Sequence, residues 1–235
     1  MRDYLREYLM EDLEIVKEVD ELNLEEHQNS VELLHIIGGD EDVATSAWVS
    51  TTTEVTPEKR ERIPALIDML MRNGHWSPFE NGGWLKFKLL IDNATHIQML
   101  RHRYQSINVE SARYKEYRND RYYIPKDWPL EWQKFLQSAT ESCFKLYHRT
   151  ISELEEAGID RKRAKESARY FLPQSIQLEC IVSMNFRAFL DFLRLRDSSD
   201  AQIEIQEIAH QMRILVEETD RFKHSMATFD SLYGR

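Results

Sequence analysis

Trp84-Leu85-Lys86-Phe87-Lys88-Leu89-Leu90-Ile91 alternates, with Leu85, Phe87, Leu89 and Ile91 on one side and Lys86 and Lys88 on the other. Successive side chains of a strand point to opposite faces, so this period predicts a strand with one buried and one wet face. Asp92 or Asn93 follows at once. Either can cap a helix, because its short side-chain oxygen accepts from a free N–H of the first turn. A second alternation sets Ile176, Leu178, Cys180, Val182 and Met184 against Gln177, Glu179 and Ser183. Two such strands need a sheet with its apolar face covered by helices.

Helical patterns supply that cover. Ser30 to Ile37 is β-rich and is stopped by Gly38-Gly39-Asp40; a short helix follows from Glu41 to Val49, ending at Ser50. Pro57 opens a further segment, and Ile63, Leu66, Ile67 and Leu70 form a helical stripe with Gly74 at the C-terminal cap position. His75 to Glu80 reads as an irregular loop, because Pro78 disfavours helical geometry at Ser77. Beyond Asn93, Ile97, Leu100 and Tyr104 share one helical face, and Gln98, Arg101 and His102 another, with fraying expected near Ser106 to Asn108. Trp132, Leu136, Ala139, Cys143, Leu146 and Leu154 mark a long amphipathic helix stopped by Gly158. Asp160 caps the next helix, which Pro173 ends with Arg169 in its last turn. A helix after Asn185 turns Phe189, Leu190 and Leu193 inward and sets Arg187 facing Asp191. Ser198 to Asp200 then offer caps for a final long helix with Ile205, Ile208, Met212, Leu215 and Thr219 as its buried stripe. The reading is one α+β domain over residues 31–235, a β-sheet flanked by helices. Residues 1–30 form an acidic helical extension with Tyr4, Leu5, Tyr8, Leu9, Leu13 and Val16 on its apolar side.

The chain has 235 residues, 42% of them hydrophobic, and a net charge of −10. Such a field repels polyanions, so nucleic acid is not an expected partner. No apolar run is long enough for a membrane span, and the acidic N-terminus is not a signal peptide. Cys143 and Cys180 lie far apart without CxxC spacing, which argues for unpaired thiols in a reducing cytoplasm and against a zinc site; no metal is expected.

Within this acidic chain stands Arg101-His102-Arg103-Tyr104-Gln105-Ser106-Ile107-Asn108-Val109-Glu110-Ser111-Ala112-Arg113-Tyr114. Adjacent cations repel unless an anion joins them. The guanidinium fork suits phosphate and the edge of a planar heterocycle, so a small anion is the expected ligand. Arg169 and Arg196 belong to the same reading. Ser111 has no His or Lys at activating spacing and is read as a binding hydroxyl rather than a nucleophile.

Arg101-His102-Arg103, seven residues and then Ser111, resembles the signature of flavin-dependent thymidylate synthases. The match extends to Ser106, Asn108, Arg113 and Tyr114. Upstream it takes in Gly74-His75, Ser77-Pro78-Phe79-Glu80 and Gln98; downstream, Ala168-Arg169, Leu172-Pro173, Asn185, Arg187, Leu195-Arg196 and Ala201-Gln202. The resemblance implies reductive methylation of dUMP to dTMP, with methylenetetrahydrofolate as carbon donor and NADPH-reduced FAD as hydride source. It implies a homotetramer with active sites at subunit interfaces. It implies that Gln98, Arg101, Glu110, Ser111, Ala112, Arg113, Arg169 and Arg196 hold dUMP. It implies that Ser50, Ser77, Glu80, Arg101, His102, Arg103, Asn185, Arg187 and Asp191 hold FAD. Arg196 is the residue implied in activating the pyrimidine. The chain departs from the family pattern at Val109, where Glu is frequent, at Asp200, where His is frequent, and at Asp191, where Asn is common. A nucleotide- and flavin-binding relative with impaired catalysis is the alternative these departures leave. A nucleic-acid module using Arg101, Arg103 and Arg113 is disfavoured by the net charge.

Overall fold

A computed structural model describes residues 22–51, 54–111, 116–117 and 121–234. The N-terminal segment before residue 22, including the expected amphipathic stripe, lies outside the described residues. The chain builds two compact units and passes between them several times.

One unit comprises residues 30–90, 97–109 and 179–235. Strands β1 (Ser30–Gly38), β2 (Gly83–Asp92), β3 (Gln105–Val109) and β4 (Gln177–Asn185) form a four-stranded sheet in the order β1-β2-β4-β3. The β1–β2 and β3–β4 pairings are antiparallel. The predicted alternation holds in both central strands: Leu85, Phe87, Leu89 and Ile91 are fully buried, and Leu178, Cys180, Val182 and Met184 are buried with them. At the β1–β2 end, Gly38 has φ +84° and faces Gly83. A Cβ on Gly38 would sit 2.1 Å from the Gly82 carbonyl oxygen, so the close approach of the strand ends needs a residue without one.

Helices α1 (Asp40–Trp48), α2 (Pro57–Glu61), α3 (Ile63–Arg72) and α4 (Ser77–Asn81) follow β1. The expected loop at His75 to Glu80 is corrected: Ser77 starts a short helix with Pro78 in its first turn. Proline is tolerated there because first-turn N–H groups have no intrahelical acceptor. α5 (Asn93–Met99) is capped as predicted, the Asp92 carboxylate accepting from the Thr95 N–H at 2.9 Å.

In the other unit, α6 (Leu130–Glu156) packs on α7 (Arg161–Ala168), whose N-cap Asp160 accepts from the Lys162 N–H. The predicted buried stripe of α6 is corrected. The buried positions are Gln133, Gln137, Thr140, Phe144, Tyr147 and Ile151, while Trp132 and Leu146 are exposed. A hydrophobicity pattern misses this face because its polar side chains find partners inside. Gln133 donates to the Pro125 and Lys126 carbonyls, and Thr140 shares a hydrogen bond with Ser175.

α8 (Phe186–Arg196), α9 (Ile203–Glu217) and α10 (Lys223–Tyr233) complete the sheet-bearing unit, with α9 against β1 and against α8. The expected single final helix is thus two, broken where Asp220 takes φ +56°. The Asp40 carboxylate, buried at the start of α1, accepts from the His224 N–H at 2.6 Å and from the Ser225 N–H and hydroxyl at 3.1 and 2.5 Å. It thereby caps the first turn of α10 from a distant part of the chain. No described helix is long and apolar enough to cross a membrane.

Candidate active site

The Arg101-His102-Arg103 stretch does not continue α5, as the periodicity predicts. The helix ends at Met99, whose carbonyl accepts from the His102 N–H at 3.1 Å and from Gln105 Nε2 at 2.5 Å. The three basic residues therefore occupy a turn between α5 and β3. The predicted apolar stripe cannot hold the helix together, because Ile97, Leu100 and Tyr104 are 49%, 50% and 82% exposed. Ser106 to Asn108, expected to fray into a loop, are strand residues paired with Ser183 to Ile181 of β4. A polar stretch takes strand geometry here because a neighbouring backbone offers it a ladder.

Arg196, the last residue of α8, comes to this turn from a distant segment of sequence. Its Nε donates to His102 Nε2 at 3.0 Å and its Nη1 donates to Gln98 Oε1 at a long 3.4 Å. Nη2 has no partner among the described residues. Burial first, and the Arg196 charge second, push His102 down to about 4, with Asp191 acting the other way. The imidazole is therefore neutral near pH 7 and can accept the guanidinium hydrogen bond. Its ring stands edge-on to Phe192, with centroids 4.9 Å apart.

Arg101 and Arg103 are exposed, and neither has a carboxylate partner among the described residues; Arg196 has none either. Many other arginines do: Arg60 pairs with Glu41, Arg72 with Asp68, Arg149 with Glu153, and Arg213 with Asp197, Glu217 and Asp230. The expected Arg187–Asp191 facing pair is corrected. Arg187 pairs across to Glu80 at 2.5 Å, and Asp191 lies 3.7 Å from Arg194, one helical turn on.

Two neighbouring cavities open here, of about 290 and 220 Å³. Arg101, His102 and Arg103 line the larger, with Met184, Phe192 and Leu195 as apolar wall. Glu80, Asn185 and Arg187 line the smaller, and Tyr104, Ala188 and Asp191 line both. A planar ring system with a diphosphate fits such a lining, having apolar surface for the rings and, for the negative oxygens, the guanidinium groups of Arg101 and Arg103, which have no carboxylate partner among the described residues. Asp191 and the engaged Glu80 work against it locally. Sequence reasoning missed Tyr104, which falls on an expected apolar helical face, and Phe192 and Ala188, which belong to no motif. Ser50 donates to the Ala47 carbonyl at the exposed end of α1, and Ser77 begins α4; neither is among the lining residues.

The remaining expected residues belong to the other unit. Glu110 accepts from Arg121 at 3.1 Å, and its side chain is 8% exposed. Tyr117 is pushed up to about 12 by burial, then by Glu110 and Tyr147, with Arg121 and Arg169 opposing. Arg169 is exposed at the start of a 3-10 turn that continues α7, and Ser111 is half-buried with a partner of its own. Ala112 and Arg113 lie outside the described residues.

The family model described as "Thymidylate synthase complementing protein" matches residues 32–220. A flavin-dependent thymidylate synthase of Kosmotoga olearia is 32% identical over 198 residues, covering 76% of this chain and 81% of the relative. One from Pseudothermotoga lettingae is 33% identical over 184 residues, covering 76% and 80%. Among solved structures, the UMP/dUMP methylase PolB of Streptomyces cacaoi, bound with 5-Br dUMP, superposes with TM-score 0.71 at 29% identity, covering 87% of this chain and 95% of that one. With 5-Br UMP bound the values are 0.70, 27%, 88% and 95%. The matched residues take in the basic turn, its cavity wall and Arg196, and the chain belongs to the flavin-dependent thymidylate synthase family.

Proposed function

We propose that this chain reductively methylates C5 of dUMP to give dTMP, with methylenetetrahydrofolate as carbon donor and FAD reduced by NADPH as hydride source. The observation that carries the reading is the set of guanidinium groups of Arg101, Arg103 and Arg196, which have no carboxylate partner among the described residues of a protein of net charge −10. Cations left unpaired in such a field suit a site completed by an anionic ligand. The family membership and the bromo-nucleotides bound by the Streptomyces protein supply the chemical class of that ligand.

Carbon–carbon bond formation at C5 requires electron density there. Neither thiol supports a covalent route: Cys180 is buried in β4, and Cys143 lies on α6 with burial pushing its thiol up. Arg196 supports an electrostatic one. A guanidinium at the pyrimidine edge favours ionised N3, and the charge spreads into the ring. Its Nε and Nη1 are occupied by His102 and Gln98, so Nη2 is the group assigned to the substrate. Gln98, Arg101, Glu110, Ser111, Ala112, Arg113 and Arg169 are assigned to the rest of dUMP. Ser50, Ser77, Glu80, His102, Arg103, Asn185, Arg187 and Asp191 are assigned to the flavin side, with Arg101 serving both. When bound, FAD supplies the hydride; the chain supplies orientation and charge. The assembly assigned is a homotetramer with shared sites, supported by apolar Leu100, Leu195 and Ile203, which remain 50%, 49% and 43% exposed.

The test is the visible spectrum of the purified protein, followed by turnover of dUMP and, in parallel, UMP. Flavin bands and dTMP formation are expected; a colourless protein that takes up no FAD overturns the reading. Release of deuterium from labelled C5 separates an active enzyme from a binding relative. Arg196→Ala should lower kcat by roughly 10²–10³-fold, the scale of losing an electrostatic donor, while FAD is retained. Equal loss of flavin and turnover contradicts the role given to Arg196.

A further inference from the structure

We propose that Gln202 and Glu204, at the start of α9, are positioning residues that hold the Arg196 guanidinium through the amide of Gln98. The proposal rests on the reading that Arg196 meets the pyrimidine. Its evidence is a run of side-chain hydrogen bonds with only one self-consistent polarity.

Glu204 is the fixed end, since an ionised carboxylate only accepts hydrogen bonds. It accepts from Gln202 Nε2 at 2.7 Å, which turns the Gln202 oxygen the other way. That oxygen accepts from Gln98 Nε2 at 2.5 Å. With its nitrogen committed, Gln98 can only present Oε1 to Arg196, where it accepts from Nη1 at 3.4 Å. Reversing either amide would bring two donors together, at Gln98 against Arg196 or at Gln98 against Gln202. A carboxylate on α9 thus decides which atom of Gln98 faces the guanidinium on α8. His102 holds the opposite side through Nε. Gln202 is well placed for this because it is the N-cap residue of α9, its backbone set by the carbonyl bond from the Gln206 N–H at 3.0 Å. Held at Nε and Nη1, the plane of the guanidinium is defined, and that plane sets where Nη2 can meet a substrate.

The experiment uses the full-length, flavin-loaded protein and two readouts. The first is the pKa of His102 by imidazole NMR, which senses the Arg196 charge beside it; Arg101, Arg103, Asp191 and Arg194 are the other charged groups of that wall. The second is the split between kcat and the KM for dUMP. Gln202→Ala is expected to lower kcat about tenfold with a smaller change in KM, the scale of one lost hydrogen bond. It should also raise the His102 pKa part of the way that Arg196→Ala raises it. Gln98→Ala/Gln202→Ala should be no worse than Gln98→Ala alone, because the two act in series. The exchange Gln202→Glu/Glu204→Gln keeps the polarity of the run, with oxygen still facing Gln98, and should restore both readouts where Gln202→Ala does not. Additive losses in the double alanine variant, or an unmoved His102 pKa in Gln202→Ala, overturn the proposal. Arg196→Ala that shifts His102 but leaves dTMP formation intact instead overturns the substrate-activating role given to Arg196 and leaves this network standing.

Discussion

His102 is the residue on which geometry and charge meet most closely. Burial and the Arg196 guanidinium lower it from 6.5 to about 4, so it accepts a hydrogen bond where a protonated ring would repel. The folded-state value lies below the unfolded one, so the unfolded chain takes up the proton first. This residue's share of stability is therefore complete above about pH 6.5 and is lost as pH falls toward 4. His102→Gln should accordingly lose less melting temperature than the parent between pH 7 and pH 4.5, a difference read from paired calorimetric scans. Scans that fall in parallel would mean that the ring titrates normally. The turn explains why three basic neighbours are tolerated: Arg101 and Arg103 are exposed and point charge at a cavity, while only the middle residue is half-buried.

At the level of elements, the ends of helices do most of the positioning. α5 stops at Met99 and delivers the basic turn; α8 stops at Arg196 and delivers its guanidinium; α9 starts at Ile203 beside Gln202. The last stop is anchored by Asp197, whose carboxylate accepts from Arg213 of α9 at 3.3 Å, while the same arginine reaches Asp230 of α10 at 2.8 Å. α10 is tied in turn by Asp40, which supplies acceptors to first-turn donors that no side chain within α10 satisfies. Asp40→Ala should lower stability by about 1–2 kcal/mol, the scale of a lost helix cap, in denaturant titrations. An unchanged midpoint would show that water serves those N–H groups equally well. Burial pushes the Asp40 carboxyl up while Ser225 and the His224 N–H pull it down, so part of the capping gain is offset by desolvation.

For the whole molecule, the proposed tetramer predicts a light-scattering mass of four chains, each of 28.1 kDa. Ile203→Lys, which puts a charge on an apolar surface already 43% exposed, should shift that mass toward smaller species. A monomer in the parent protein would contradict shared sites. The two central strands were legible in the chain by itself, and its arginine cluster gave the expectation of an anionic ligand. Strict alternation in Trp84 to Ile91 and Ile176 to Met184 needs no partner to be read, and arginines clustered against a net charge of −10 already imply an anion. The helix caps at Asp92 and Asp160 were legible for the same reason, since a cap acts over three residues. What the tertiary structure decided depends on neighbours distant in sequence. β4 makes a strand of Ser106 to Asn108, Glu80 takes Arg187 from its helical neighbour, and His102 and Gln98 hold Arg196 across about a hundred residues of chain. Periodicity records which face of an element is apolar; it carries no record of which polar atom will be waiting opposite once the elements pack.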